Sequence, residues 1–371
     1  MYKILFIVND DSFFVSHRLP LAINAQKEGF EVHILSGISS QSSAIYNYQF
    51  KVHKLNFKKT SVNPTKFWKS LCKVIKVLKS IKPDVLHLIT VKPIIWGGFA
   101  SKIFKPKVVI ASVTGLGQIY RDNRFSSFLI RKIIEIMYRI AYSEKSNKFF
   151  IFQNSHDKSY IKELLKLHND KIIMTKGSGI YLNEYKCKPF PKGEPVFLFA
   201  SRLLKAKGVL DFIEAASFVK NAKFLIAGKF DPFNRDSIDK RILDKFLADG
   251  KIKYLGYIED ICNLINQSSV VVLPSYYGEG LPKILIEAAA CGRPIITTNL
   301  PGCKDTIING KSGYFIPAQS PKSLADKMNI FVNYPEKIIS MGNESRKFAE
   351  KKFDINEVIK KHMLVYKSFL N

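Results

Sequence analysis

The sequence predicts an α/β protein of two parallel-sheet domains, and three observations carry that prediction. Its 371 residues exceed what one ordinary core holds, so two domains of roughly 150 to 200 residues are expected. Short apolar runs alternate with longer amphipathic stretches from end to end, as in βαβ units whose strands are covered on both faces. The runs form two series, and between them LNEYKCKPFPKGEP, residues 182–195, replaces periodic pattern with prolines, charges and a glycine.

In the first series the strand runs are YKILFIV, EVHILSG, VLHLIT, VVIASVT, FFIFQN and KIIMTKG; in the second they are VFLFAS, KFLIAG, IKYLGY, SVVVLPS and PIITTN. Two such series read as two Rossmann-like domains, residues 1–185 and 190–353. The closing FDINEVIKKHMLVYKSFLN reads as one more amphipathic helix, 354–371, expected to pack back on the first domain. Ligands of open α/β sheets lie beyond the carboxyl ends of the strands, so the loops after these runs and the cleft expected between the domains are where chemistry is sought.

A composition 46% hydrophobic and 24% charged belongs to a folded globular protein. The longest apolar windows, LHLITVKPIIWGGFA and FFIFQNSH, are interrupted before the roughly 18 residues a membrane span needs. MYKILFIVNDD runs at once into acidic and polar residues, unlike a signal peptide, so a cytoplasmic protein is expected. Five scattered cysteines, without CxxC spacing, suit reduced thiols in a reducing compartment.

The net charge of +27 implies an anionic partner. Residues 51–107 hold 14 lysines and one acid, Asp84. Within them PTKFWKSLCKVIKVLKSIKP spaces Lys66, Lys69, Lys73, Lys76 and Lys79 on one helical face, with Phe67, Trp68, Leu71, Val74, Ile75 and Leu78 between them. Two readings stand: a surface helix with a solvated lysine face, or a face resting on anionic lipid, where each lysine adds about 1 kcal/mol. Nucleic acid is disfavoured, since no binding motif is found and 48 of the 58 basic residues are Lys rather than Arg.

The chemistry-bearing residues concentrate in the second series. In FASRLLKAKG, Arg202 follows the strand and Lys207 with Gly208 opens the next helix, a basic pair suited to a diphosphate, although a surface Arg and Lys would look the same. In LPSYYGEGLPKILIEAAACG, Gly278 and Gly280 admit a close ligand and Pro282 suits a first helical turn. Amides near Gly280 and Leu281 would then point at the ligand with the helix dipole behind them. Glu279 stands at this entrance and Glu287 eight positions on, among Ile, Leu and Ala. A buried carboxylate there needs solvent, a partner or a ligand, because leaving it unpaired costs several kcal/mol.

Those two glutamates, eight positions apart, resemble the signature of retaining family 4 glycosyltransferases of GT-B fold. SRLLKAKG resembles that family's diphosphate element, and TNLPGCKDTIINGKSGYFIP, with Asp305, its loop after the second glutamate. GSGI (177–180), FQNSHD (152–157) and VTGLG (113–117) resemble first-domain elements of bacterial members that extend lipid-linked polysaccharides. The resemblance implies a first domain for the acceptor and a second for a nucleotide diphosphate sugar, probed across the expected cleft. Arg202 and Lys207 would hold the donor diphosphate, Glu279 with Gly280 and Leu281 the donor sugar, Glu287 the ribose hydroxyls, and Gly256, Tyr257 and Ile258 the base. It also implies no cofactor and no metal, an undecaprenyl-diphosphate-linked or similar lipid-linked acceptor, and peripheral attachment to the inner face of the plasma membrane.

On the first half the resemblance is looser. NDDSFFVSHRLPLA (9–22) replaces the usual glycine-rich loop, moving attention to His17 and Arg18 at the next helix entrance; His17 suits a capping role equally well. SVTGLG lacks the histidine that relatives carry near the donor sugar, leaving Thr114 or Gly115 to line the site. Lys92 is a candidate for an acceptor phosphate among many lysines, whereas His87, inside VLHLIT, reads as a satisfied core histidine. Rival readings are a nucleotide-sugar 2-epimerase of the same architecture, or a non-catalytic membrane- or polyanion-binding relative.

Overall fold

The computed structural model describes all residues except 38–42, 56–63, 121–123, 232–233, 235, 248–249 and 371. Lys58 and Lys59 of the lysine-rich segment, and Asn371 of the closing helix, lie outside the described residues. Two compact units divide the chain: Met1–Ser178 with Asn356–Asn371, and Gly179–Ile355.

In the first unit come β1 (Lys3–Asp10), α1 (Asp11–Lys27), β2 (Glu31–Gly37), α2 (Ser43–Tyr46), β3 (Lys51–Lys54), α3 (Pro64–Ile81), β4 (Val85–Ile89), α4 (Val91–Phe104), β5 (Val108–Val113), α5 (Phe125–Ala141), β6 (Lys148–Phe152), α6 (Ser155–Leu165) and β7 (Ile172–Met174). These strands form one parallel sheet in the order β3-β2-β1-β4-β5-β6-β7. Every residue of β4 and β5 is buried, which is why the runs VLHLI and VVIASV show no alternation: both faces are covered. The lysine-bearing segment folds as α3, with Leu71, Val74, Leu78 and Ile81 in the core and Lys66, Lys69, Lys73, Lys76 and Lys79 exposed. Trp68, expected on the apolar side, is instead 61% exposed, because it adjoins Phe67 and only Phe67 points inward against Trp96.

The second unit holds β8 (Val196–Ala200), α7 (Val209–Ser217), β9 (Lys223–Ala227), α8 (Lys240–Leu247), β10 (Ile252–Tyr254), α9 (Ile261–Asn266), β11 (Val270–Leu273), α10 (Lys283–Ala290), β12 (Ile295–Thr298), β13 (Gly313–Ile316), α11 (Pro321–Asn333) and α12 (Glu336–Lys352), followed by α13 (Ile355–Lys367). Its parallel sheet runs β10-β9-β8-β11-β12-β13. In both sheets the order reverses beside the first strand of the unit, between β1 and β4 and between β8 and β11, the points at which such sheets hold ligands.

The units part at Ser178–Gly179, seven residues before the boundary expected at 185, because residues 180–190 are fastened to the second unit. The N–H of Ile180 donates to the Phe353 carbonyl (3.0 Å). The guanidinium of Arg346 donates to the carbonyls of Tyr185 (2.6 Å) and Ala290 (2.5 Å), and buried Arg293 donates to those of Lys188 and Asn266 (3.0 and 2.8 Å). The closing helix belongs to the first unit from Asn356 onward. There the Tyr366 hydroxyl meets Nδ1 of His87 (2.7 Å), whose Nε2 meets Ser112 Oγ (2.7 Å), and Val358, Ile359, Met363 and Val365 are buried beside it. His87 is thus a satisfied core residue, held neutral because full burial pushes its pKa well below the ordinary value.

Candidate active site

The second unit gathers its charged residues where β8 and β11 end. After β8 the chain passes Ser201 and Arg202 into a 3-10 turn, Lys205–Lys207, pinned by Asp236: its carboxylate accepts from the Ala206 N–H and its carbonyl from the Lys205 N–H, both at 2.8 Å. Gly208 follows at φ 79°, and a Cβ there would stand 2.3 Å from the Pro274 carbonyl oxygen, so only glycine lets this turn press against the end of β11. The Tyr276 N–H then donates to the Ala206 carbonyl (2.8 Å), locking the two strand ends together.

That close approach brings Lys207 Nζ onto Oε1 of Glu279 in an ion pair with both side chains about nine-tenths buried. Ser275 Oγ lies 3.0 Å from the same carboxylate oxygen, and the Tyr277 ring lies 5.1 Å from the lysine ammonium. Arg202 is more open and pairs with Asp231 at 3.3 Å. Burial raises the Tyr277 phenol's pKa against the opposing pull of Arg202, so it remains a neutral neighbour.

Glu279 is not on the helix that carries Glu287. The helix starts at Lys283, with Pro282 in extended conformation as its cap (φ −62°, ψ 121°) rather than inside its first turn, and residues 276–281 form a loop. Gly302, at φ 84°, lets the loop after β12 approach this segment: a Cβ would come within 2.5 Å of the Gly280 carbonyl oxygen and 2.7 Å of that of Glu279. Leu281 is buried in the core of the unit and fixes the far side of the loop.

Glu287 faces neither water nor an empty pocket. It is 95% buried by its surroundings, and its Oε1 accepts from the Tyr185 hydroxyl (2.8 Å) and pairs with Lys283 one turn earlier (3.3 Å). Burial, and then the adjacent Glu287 charge, raises the Tyr185 pKa, so the phenol keeps its proton and stays a donor. Gly256, Tyr257 and Ile258 form the loop after β10. The Gly256 carbonyl accepts from the Gly228 N–H (2.7 Å), Tyr257 is half exposed with Lys229 Nζ 3.8 Å above its ring, and Ile258 packs on the core. Gly228 stands so near Ser201 that a Cβ would fall 1.7 Å from its carbonyl oxygen, drawing the ends of β8, β9 and β10 into one cluster.

The first unit places its candidates differently from expectation. Helix α1 starts at Asp11, capped by Asp10, so His17 and Arg18 lie in its second turn and not at its entrance. His17 stacks on Phe13 (4.2 Å) and meets Ser16 Oγ (2.5 Å). Arg18 is almost fully buried, its NH1 donates to the His17 carbonyl, its Nε has no hydrogen-bond partner among the described residues, and burial lowers its pKa to about 10. Asn9 Oδ1 and Thr90 Oγ1, at the ends of the adjacent strands β1 and β4, are also buried without a described partner. Lys92 is in the first turn of α4, and desolvation lowers its pKa to about 8. Thr114 and Gly115 follow β5, half-buried, Gly115 at φ 117°.

Tyr185, Ser275 and Asp231 were not evident from the sequence. Tyr185 lies 102 positions from Glu287 in the segment read as a linker, so no local spacing marks it.

Known protein families match both halves of the chain. The family described as "Glycosyl transferases group 1" matches residues 183–348, and "Glycosyl transferase 4-like" matches residues 3–154. The chain belongs to the GT-B glycosyltransferases of group 1. One relative, an N,N'-diacetylbacillosaminyl-diphospho-undecaprenol alpha-1,3-N-acetylgalactosaminyltransferase from Campylobacter jejuni, is 28% identical over 94% of each chain. Another, the Escherichia coli UDP-Gal:alpha-D-GlcNAc-diphosphoundecaprenol alpha-1,3-galactosyltransferase, is 26% identical over 69% of this chain and 68% of its own. Among solved structures, a Rickettsia africae glycosyltransferase superposes with TM-score 0.77 at 20% identity, covering 100% of this chain and 99% of that one. Anabaena HepE in complex with UDP-glucose superposes with TM-score 0.77 at 17% identity, covering 98% and 99%. This glycosyltransferase therefore has the two-domain α/β architecture of GT-B enzymes. Among its described residues, no helix is long and apolar enough to cross a membrane.

Proposed function

We propose that the enzyme is a retaining glycosyltransferase that moves a sugar from a UDP-linked N-acetylhexosamine or hexose to an undecaprenyl-diphosphate-linked or similar lipid-linked saccharide in bacterial surface polysaccharide synthesis. The observation that carries this reading is the meeting of Lys207 and Glu279 at the β8–β11 reversal point, beside Arg202. The printed activities of the Campylobacter and Escherichia relatives support the acceptor class, and the second of those names supports UDP.

In this reading the donor diphosphate takes Lys207 from Glu279 and Arg202 from Asp231, exchanging one anion for another around each cation. Glu279, with Ser275 still beside it, then turns to the donor sugar's hydroxyls, helped by the backbone at Gly280 and Leu281. Glu287, oriented by Tyr185, reads the ribose, and Gly256, Tyr257 and Ile258 meet the base. The bond from the anomeric carbon to the diphosphate oxygen breaks, and the acceptor oxygen bonds to that carbon on the same face. The acceptor's proton passes to an oxygen of the leaving nucleoside diphosphate. Two cations neutralise that leaving group, which is the electrostatic service the chemistry needs, so neither cofactor nor metal is included. In the first unit, Arg18 and Lys92, with His17, Thr114 and Gly115, are assigned to the acceptor.

The lysines of α3 are assigned to an anionic membrane surface, giving peripheral attachment at the cytoplasmic face. Vesicle binding is then expected to fall steeply with salt, because exposed charges are screened over about 8 Å at physiological ionic strength. The function is tested by a thermal-shift screen of nucleotide sugars, where a ligand at 100 times its Kd adds about 2.7 kcal/mol, followed by product analysis. Free nucleoside diphosphate that appears only with lipid-linked acceptor supports transfer; an epimerised, still nucleotide-linked sugar refutes it.

A further inference from the structure

We infer that α5 is a membrane-inserting helix that lies in the interface of an anionic bilayer. The inference deepens the membrane attachment proposed above but rests on a different element and on apolar surface instead of lysine. Helix α5 leaves Phe125, Phe128, Leu129, Ile133, Ile136 and Ile140 exposed, Phe125 by 74% and Ile133 and Ile136 by more than half. At 100° per residue Phe125, Leu129, Ile133, Ile136 and Ile140 fall within an arc of roughly 80°, an unbroken outward stripe, and Lys132 and Arg139 lie between it and Phe128. The opposite face is fully used: Tyr138 and Ala141 are in the core of the unit, and Ile134 and Met137 pack against it. A run of large apolar groups at helical spacing, left outside a helix whose inner face is already packed, marks an interaction surface.

Charge selects the occupant. Lys132 and Arg139 are exposed among the apolar groups, and Arg131 and Lys132 approach the Phe128 ring at 5.5 and 5.7 Å. The helix has one acid, Glu135, and it is buried, accepting from Tyr160 and from Lys132. A second copy docking stripe to stripe would bring these cations together with no exposed acid on the helix to oppose them. An anionic lipid surface complements them, and basic residues beside an exposed Phe/Ile/Leu face are the pattern of helices that sink about 5–10 Å into the headgroup region. The neighbours agree. Right-handed crossovers place α3, α4 and α5 in one layer, and all three contribute to the same core. Lys102 Nζ ties α4 to the end of α5 through the Ile140 carbonyl (3.2 Å), next to exposed Ile103.

Co-sedimentation of the full chain with phosphatidylcholine vesicles, with and without phosphatidylglycerol, tests this. Wild type is expected to bind the anionic vesicles and to keep a salt-resistant fraction. Ile133→Asp with Ile136→Asp is expected to lower partitioning by roughly 100-fold and to remove that fraction. Lys69→Glu with Lys73→Glu should remove only the salt-sensitive part. Ile133→Trp gives a readout that does not depend on the double variant folding: its emission should shift blue on anionic vesicles and be quenched by bromine-labelled lipid chains. Unchanged partitioning of the double Asp variant, an unquenched Trp at 133, or a dimer in sedimentation equilibrium that this variant dissolves would overturn the inference. None of these readouts uses sugar transfer, so failure of the proposed reaction leaves them intact.

Discussion

The points where the two sheets reverse treat their buried polar groups in opposite ways. At the β8–β11 reversal of the second unit every charged candidate has an internal partner: Lys207 with Glu279, Arg202 with Asp231, Glu287 with Tyr185 and Lys283. At the β1–β4 reversal of the first, Arg18 Nε, Asn9 Oδ1 and Thr90 Oγ1 are buried with no described partner. A paired set is stable while empty and must exchange partners to bind, which favours a ligand that carries both anionic and hydroxyl groups. A set of unmet donors and acceptors costs free energy until something fills it. Under the proposed function, the paired set of the second unit is a preformed site for the donor.

The largest expected effect lies in the paired set. Glu279→Gln keeps the size of the side chain and its contact with Ser275 and is expected to lower kcat by about a hundred- to a thousandfold, the range for losing one electrostatic contact to a transition state. Glu279→Ala should lose as much activity and also several kcal/mol of stability, since it leaves the nine-tenths-buried Lys207 ammonium uncompensated. Affinity for the nucleoside diphosphate without sugar should be undiminished in both variants, as measured by calorimetry. A parallel loss of nucleotide affinity would place Glu279 elsewhere.

Next in size is a test of the backbone convergence that makes the pairing possible. Gly228→Ala would force a methyl group to 1.7 Å from the Ser201 carbonyl oxygen at φ 148°, so a loss of several kcal/mol is expected by denaturant titration. Gly250→Ala, also at positive φ but with open space around it, should cost only about 1 kcal/mol. Equal losses would show that conformational strain, not the meeting of strands, sets the requirement.

Lys92 sharpens the other side of the comparison. Its folded pKa, about 8, is below the ordinary 10.5, so between those values the unfolded chain binds more protons and stability contributed by this residue rises with pH. Burial of the charged form is at its full cost below pH 8. Lys92→Met is therefore expected to stabilise the protein at pH 7 by up to about 3 kcal/mol, the upper bound from the shift, with the gain shrinking toward pH 10. A gain that is constant across this range would mean that packing, not charge, is responsible. A diphosphate bound next to Lys92 would raise its pKa and reduce the gain at neutral pH.

How far these features were legible follows from where their causes lie. Strands such as VVIASV and VFLFA announce themselves because burial on both faces leaves almost no polar position. Of the four edge strands, β7 and β10 were read from KIIMTKG and IKYLGY, whereas β3, KVHK, has a lysine at each end and β13, GYFI, is a four-residue run inside a glycine- and lysine-rich stretch, and neither was read. Arg202, Lys207, Glu279 and Glu287 stood out because glycines and strand ends surround them in the chain. Their partners did not, because Asp231, Ser275 and Tyr185 are brought in by the fold. Two helix starts were misplaced because the caps decide them: Asp10 starts α1 at Asp11, well ahead of His17 and Arg18, and Pro282 starts α10 at Lys283.

The smallest expected effect concerns one such hidden partner. Tyr185→Phe keeps the ring and removes only the hydroxyl that donates to Glu287, leaving that carboxylate with Lys283 in a buried setting. A hydrogen bond to a charged group contributes about 1.5–3 kcal/mol, and Lys283 offsets part of the loss, so a stability change near the lower end is expected. If Tyr185 orients Glu287 toward the ribose, KM for the donor should rise several-fold while kcat holds, because the contact serves ground state and transition state alike. Glu287→Gln should raise the same KM further, and combining the two changes should add little, since both disable one contact. Additive effects would separate Tyr185 from donor binding and leave its hydroxyl the simpler role of satisfying a buried carboxylate in the fold.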